Sequence, residues 1–176
     1  YGLRVGPAQG AEAIRSDDPA AAADRPTAWQ AALKLLAMRS LSTQEVRDRL
    51  GRRGYAVEEI EPVVRRLTAA GYLDDAGYAR SWVRSRAHRL GPARIARELR
   101  ARGIAEAEVA AVLGELAASR DVRQAAADAA ARKLHALRGM PPAVIRRRLA
   151  AHLLRQGFTT EVVLDLLRDR LPDPEA

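Results

Sequence analysis

Three histidines, one adjacent pair of aspartates and a large excess of arginine are the residues of this 176-residue chain with the most obvious chemical potential. His88, His135 and His152 stand far apart in sequence. None has the i, i+4 partner with which a helix presents two imidazoles to one metal ion. Asp74 and Asp75 suggest an acid–base pair, but neighbours along a helix do not face one another, and capping a helix N-terminus suits them better. The absence of cysteine removes thiol nucleophiles, disulfides and cysteine metal sites. No phosphate-cradling glycine loop or nucleophile elbow is present. The expectation is a protein that works by binding, with no catalytic residue, metal or cofactor.

What remains is basic surface. The formal charge is +8, and residues 1–26 hold three Arg against four acids, which leaves +9 for the rest. Such a field favours polyanionic or acidic partners. Only Lys34 and Lys133 are lysines, so an arginine-favouring coding composition accounts for part of the excess. Arg52, Arg53, Arg102 and Arg155 stand in or near last helical turns, where the macrodipole alone explains them. Arg146, Arg147 and Arg148 fall early in a helix, where positive charge is mildly unfavourable and a partner is the better explanation. The candidate partner-binding set is therefore Arg65, Arg66, Arg80, Arg84, Arg146, Arg147 and Arg148. Trp82 between Arg80 and Arg84 suggests a base-stacking platform. Its phase with Tyr78 and Val83 argues instead for a place in the core.

These side chains need helices to carry them. Four Tyr, two Trp and one Phe leave the core to Leu, Val, Ile and Ala, and the abundance of Ala, Arg, Leu and Glu predicts an all-α fold. The chain also repeats itself. Gly54, Gly103 and Gly157 each follow a leucine by four residues (Leu50, Leu99, Leu153), and Val46, Ile95 and Leu149 lie four residues earlier still. Six, nine and ten residues after the glycines come Ile60, Val63 and Val64, then Val109, Val112 and Leu113, then Val163, Leu166 and Leu167. Spacings of four describe one helix face, glycine supplies the left-handed residue that ends it, and the later offsets describe the buried face of a second helix.

A further helix precedes each pair. The expected faces are Trp29, Leu33 and Leu36 from about Ala28 to Arg39; Tyr78, Trp82 and Val83 after a cap at Asp74 or Asp75; and Val122, Ala126, Ala129, Ala130 and Leu134 from about Arg120 to Leu137. Thr27 is a plausible cap, and Ser42 with Glu45 has capping-box spacing. Pro92, Pro141 and Pro142 suit first turns. Pro62 requires its helix to begin near Glu58 or Glu59. About nine helices follow, in three tandem modules at 27–73, 74–118 and 119–171, behind a flexible leader at 1–26 and before a tail at 172–176. A unit of about 45 residues buries too little to be robust alone. The modules are therefore expected to share apolar surface in an elongated, curved array.

The segments Ala32 to Ser42, Gly71-Tyr72-Leu73-Asp74-Asp75, Tyr78-Ala79-Arg80 with Arg86, and Gly91-Pro92-Ala93-Arg94-Ile95 through Glu98-Leu99 to Arg102-Gly103-Ile104 resemble the RecX pattern. So does Arg155-Gln156-Gly157-Phe158, with Gln156 where a basic residue is common. The resemblance runs from residue 28 to 171 and rests on the order and spacing of the pieces. It implies tandem three-helix repeats that bind in the groove of a RecA filament on single-stranded DNA. It also implies that binding limits the filament's extension or stability and lowers ATP hydrolysis, strand exchange and co-protease activity. Independent of the resemblance, the arginine clusters also fit a sequence-nonspecific DNA-binding module, and a helical scaffold for an acidic protein stays open. Nothing resembles a signal peptide or an 18-residue apolar run, so a cytoplasmic protein without membrane contact is expected, most simply a monomer. Direct affinity for DNA is expected to be weak.

Overall fold

In a computed structural model, which describes residues 25–119 and 122–171, the three glycine turns close their helices in the same way. Gly54, Gly103 and Gly157 have φ of 79°, 74° and 89°. The amide after each donates to the carbonyl of the leucine five residues back: Tyr55 to Leu50 at 3.2 Å, Ile104 to Leu99 at 3.2 Å, and Phe158 to Leu153 at 3.2 Å. This is the Schellman arrangement, in which the apolar residue after the glycine folds back onto the helix. Tyr55, Ile104 and Phe158 are accordingly buried.

Among the described residues there are nine helices and no strand: α1 (Ala28–Met38), α2 (Thr43–Arg52), α3 (Val57–Ala69), α4 (Asp75–Arg86), α5 (Pro92–Arg100), α6 (Glu106–Ser119), α7 (Val122–His135), α8 (Pro142–Arg155) and α9 (Thr160–Arg170). They pack as consecutive triplets, α1–α3, α4–α6 and α7–α9, referred to below as modules 1, 2 and 3. The leucines and partners singled out by spacing form the centre of each. Val46, Leu50, Ile95, Leu99, Val109, Leu149, Leu153 and Val163 are all essentially inaccessible. The expected leader, apart from Arg25 and Pro26, and the expected tail lie outside the described residues, as do Arg120 and Asp121.

The first helix of each module meets the expected face only in part. Val83 in α4 and Ala126, Ala129 and Ala130 in α7 are buried as expected, whereas α1 buries Ala28, Ala31, Ala32 and Leu35, and Ala79 and Ala125 join the buried faces of α4 and α7. Trp29, Leu33, Leu36, Tyr78, Trp82, Val122 and Leu134 are only half-buried and cover the flanks. Small side chains let the first helix approach the other two closely, and the large ones then fit only beside the contact.

Caps follow the sequence closely, with one division of labour. Thr27 Oγ1 accepts from the Gln30 amide at 3.2 Å, and Ser42 Oγ accepts from the Glu45 amide at 3.1 Å while Glu45 returns to the Ser42 amide at 3.2 Å. Asp74 caps its own helix through the Gly77 amide at 2.9 Å, whereas Asp75 reaches the Thr43 amide of module 1 at 2.8 Å. The helix holding Pro62 corrects the expected start: α3 begins at Val57, with Glu59 accepting from the Ala56 amide at 2.8 Å. Pro62 therefore lies inside the helix. It is tolerated because both it and Glu58, whose carbonyl loses its amide partner, are exposed to water. Pro62→Ala is expected to restore that bond and stabilise module 1 by about 1–2 kcal/mol, within the cost of an interior proline. An unchanged or lower thermal midpoint by circular dichroism would reject this account.

The expectation of a shared apolar core is also corrected. The buried residues form three separate clusters, one per module. The modules meet instead through narrow polar junctions at opposite ends of α5. At its C-terminal end the Arg102 carbonyl accepts from Ser42 Oγ at 2.6 Å, and Gly103 lies against Gln44. At its N-terminal end the Gly91 amide donates to the Gln156 carbonyl at 2.8 Å and the Ala93 amide to Gly157 at 3.3 Å. Both junctions seat the glycine turn of one module on the start of the second helix of the module before it. The carbonyl preceding the glycine is the acceptor in each. In module 1 the corresponding Arg53 carbonyl accepts from Arg25 at 2.7 Å, with the Arg25 guanidinium 3.8 Å from the Tyr55 ring centroid. Arg25 thus meets the glycine turn of module 1 at the carbonyl where Ser42 and Gly91 meet those of modules 2 and 3.

Candidate partner interface

The seven arginines singled out from sequence are spread over all three modules. Arg65 and Arg66 are exposed on α3, where the Arg66 guanidinium stacks 4.1 Å from the Trp29 ring centroid. Arg80 and Arg84 are exposed one turn apart on α4. They line a shallow groove with Val83, Ala87, Val112, Leu116 and one carboxylate, Glu115. Arg146, Arg147 and Arg148 occupy successive positions of α8, so they point in different directions around the helix. Arg146 is half-buried, Arg147 and Arg148 are exposed, and Arg148 Nη1 lies 3.4 Å from Met140 Sδ. The cations brought together by the fold are mostly others.

On α4, Tyr78, Trp82 and Arg86 recur every four residues, and Arg94, Glu98 and Arg102 do so along α5 and its C-terminal turn. Residues at this interval share a helix face, so the two rows meet. The Trp82 ring is clasped by Arg86 at 3.2 Å and Arg102 at 3.6 Å from its centroid. Glu98 accepts from the Trp82 indole at 3.2 Å and pairs with Arg86 at 3.2 Å and Arg94 at 3.3 Å. Two guanidinium groups thus meet a single carboxylate, and a third, that of Arg102, stands over the same indole. A partly desolvated cation over an indole contributes about 1–2 kcal/mol, which helps hold the excess positive charge in place. Arg102 Nη1 donates to the Glu98 carbonyl at 2.8 Å, while Arg102 Nε is buried without a partner.

This cluster is continuous with both neighbouring modules. Tyr78 stacks on Trp82, with centroids 5.9 Å apart and planes 16° from parallel, and its hydroxyl donates to Glu45 of module 1 at 3.2 Å. Burial first, then the Glu45 carboxylate, pushes the Tyr78 phenol above its ordinary value against an opposing pull from Arg102. The phenol stays protonated and able to donate. At the other end Arg94 Nη1 donates to Gln156 Oε1 of module 3 at 2.9 Å. A polar and aromatic seam therefore runs from Glu45 through Tyr78, Trp82, Glu98 and Arg94 to Gln156. The expected core role of Trp82 is half right: one flank packs on the module core while both ring faces carry arginine. Sequence reasoning missed the cluster, although the two i, i+4, i+8 rows were its signal. No helix among the described residues is long and apolar enough to cross a membrane.

Comparison with known proteins bears on this arrangement. The family description of the first three-helix domain of RecX matches residues 28–67, and that of the second matches residues 74–113. The chain belongs to the RecX family. Regulatory protein RecX of Pelodictyon phaeoclathratiforme is 37% identical over 145 residues, covering 81% of this chain and 88% of the relative. The RecX of Halorhodospira halophila is 39% identical over 142 residues, covering 76% and 81%. The fold is shared with a crystal structure of regulatory protein RecX, at a TM-score of 0.73 and 23% identity, covering 81% of this chain and 72% of the other. It is shared also with RecX from Lactobacillus salivarius, at a TM-score of 0.68 and 20% identity, covering 81% and 93%. The RecX relatives bear the name of regulatory proteins. In this RecX chain, the two family-matched modules are those joined by the Ser42–Arg102 and Thr43–Asp75 contacts.

Proposed function

We propose that this chain regulates the RecA recombinase by binding RecA filaments assembled on single-stranded DNA. In this reading it acts as a cytoplasmic monomer without catalysis or cofactor. Binding limits filament extension or stability and so lowers ATP hydrolysis, strand exchange and co-protease activity. The observation that carries the reading is family membership along most of the chain, since the relatives are regulatory proteins named RecX. The geometry supports it physically. Three modules with separate cores, joined end to end through α5, suit contact with successive subunits of a polymer. The exposed Arg80 and Arg84, lining a groove with Val83, Ala87, Val112 and Leu116, combine the charge and the apolar surface that a protein interface uses. Arg65, Arg147 and Arg148 extend the basic surface to the outer modules, and Arg66 and Arg146 contribute more through packing.

The test is the single-stranded-DNA-dependent ATP hydrolysis of RecA, with this protein added after filament assembly. Inhibition is expected with fewer chains than RecA protomers, because one array covers several subunits and blocks propagation beyond them. No inhibition of active filaments would end the proposal. Arg80→Gln with Arg84→Gln is expected to raise the half-inhibitory concentration roughly tenfold, about 1.4 kcal/mol of binding, with the circular dichroism melt unchanged. An unaltered titration would remove this pair from the interface and leave Arg147 and Arg148 to be tested in the same way.

A further inference from the structure

The junction between modules 2 and 3 holds a second basic feature that the filament reading does not use. A cleft of about 270 Å³ is lined by Arg89, from the turn after α4, and by Arg132, Lys133 and His152 of module 3, with Ala129 and Gln156. No carboxylate lines it. Elsewhere many arginines are neutralised in place, as in the pairs Arg47–Glu61 at 2.7 Å and Arg100–Glu106 at 2.6 Å. Here Arg89, Lys133 and Arg155 have no ion-pair partner among the described residues, and Arg132 reaches the His88 carbonyl at 3.4 Å. Like charges gathered across two modules repel one another unless something negative sits between them.

His152 registers that field from inside the cleft. Burial first, and then the charges of Lys133, Arg155, Arg132 and Arg94, hold its imidazole below the ordinary value of 6.5. The charged groups that act on it from α5, α7 and its own α8 are all cationic.

We propose that this cleft binds a phosphate group of a nucleic acid backbone and that the bound phosphate bridges modules 2 and 3. Phosphate is favoured over a carboxylate by the number and type of donors. Two guanidinium forks from different modules and an ammonium exceed what the two oxygens of one carboxylate can satisfy, whereas a phosphodiester within a chain offers more acceptors and a neighbouring phosphate. A phosphate held between Arg89 and the Arg132–Lys133 pair adds a charged link across a junction otherwise made by the Gly91, Ala93 and Arg94 contacts. This does not depend on RecA, so its failure and the failure of filament regulation are separately visible.

The experiment uses the full chain and a fluorescent oligothymidylate of about 20 nucleotides, long enough to pass the cleft. Anisotropy is read across a salt series. Arg89→Gln, Arg132→Gln and Lys133→Gln together are expected to weaken binding at least tenfold. They should also reduce the slope of log affinity against log salt by about 0.7, as the loss of one neutralised phosphate requires for a single strand. A control of equal charge change in module 1, Lys34→Gln, Arg52→Gln and Arg53→Gln, is expected to weaken it less than threefold. Equal losses in the two variants would replace the site with a diffuse field, and no loss would remove it. Should the triple variant fold poorly by circular dichroism, Arg89→Gln alone carries the comparison. In the unmodified chain, the His152 imidazole titration followed by NMR should move upward when oligothymidylate is added. An unmoved titration overturns the proposal. A shift produced by sodium tripolyphosphate and not by oligothymidylate assigns the cleft to free polyphosphate instead, and tighter binding of polyglutamate assigns it to an acidic protein.

Discussion

Gly91→Ala is expected to detach module 3 from module 2 while leaving each module folded. Gly91 has an ordinary φ of −77°, so alanine is backbone-compatible there. Its methyl group, however, falls inside contact distance of the Gly157 carbonyl and the Phe158 amide, which are backbone atoms with no rotamer to yield. The bonds from Gly91 to Gln156, from Ala93 to Gly157 and from Arg94 to Gln156 are lost with the contact. At about 1 kcal/mol net for each hydrogen bond, the junction loses about 3 kcal/mol. That is large for an interface with no shared apolar core. Module 3 should then melt separately, amide exchange at residue 91 should accelerate, and the radius of gyration by small-angle scattering should rise. Inhibition of RecA should weaken with it if the rigid array is what spans filament subunits. A melt that superimposes on the unmodified chain, with unchanged exchange at residue 91, would show that the backbone shifts to admit the methyl group. Gly157→Ala is a blunter probe, because φ of 89° strains any side chain and its methyl group meets the Arg94 backbone as well.

Glu98→Gln is the second substitution with a large expected effect. The amide is nearly isosteric and still accepts from the indole of Trp82, so packing is preserved and the charge is what changes. Arg86, Arg94 and Arg102 are then left close together with no carboxylate among them. Breaking a buried pair costs about 3–5 kcal/mol. The Glu98 side chain is 25% exposed, and water reduces the effect to about 2 kcal/mol. Urea denaturation should show the loss, and the deficit should shrink as salt screens the three arginines. Glu106→Gln, which breaks the exposed pair with Arg100, should shift the midpoint little. Equal shifts for the two variants, or a deficit insensitive to salt, would mean that the cluster is held by packing of the Trp82 ring alone.

Much of the module interior was legible in the residues. Leu50, Leu99 and Leu153, their partners four residues earlier, and the glycines four residues later report local geometry, because a helix's own period decides which side chains share a face. The Ser42–Glu45 box and the prolines of α5 and α8 are local in the same sense. The first helices were less legible. In α1 the stretch from Ala28 to Met38 is apolar on most sides, so its periodicity did not choose between the leucines and the alanines. Close approach of two other helices chose the alanines. The start of α3 was placed one or two residues late because the cost of an interior proline depends on whether the orphaned carbonyl reaches water, and exposure is a property of the folded module.

By itself, then, the sequence determined the helices, their capped ends, the three glycine turns and most of the residues that fill each core. It also carried the resemblance that family matches bear out. Only the tertiary structure decided how the modules are joined and which arginines act together. Ser42 meets Arg102 across 60 residues and Arg94 meets Gln156 across 62, through a hydroxyl, an amide and backbone carbonyls that leave no periodic trace. A period reports one helix's preference for its own buried side. The seam around Trp82 and the cleft around His152 arise where different helices place charge beside charge, and that juxtaposition exists only once the chain is folded.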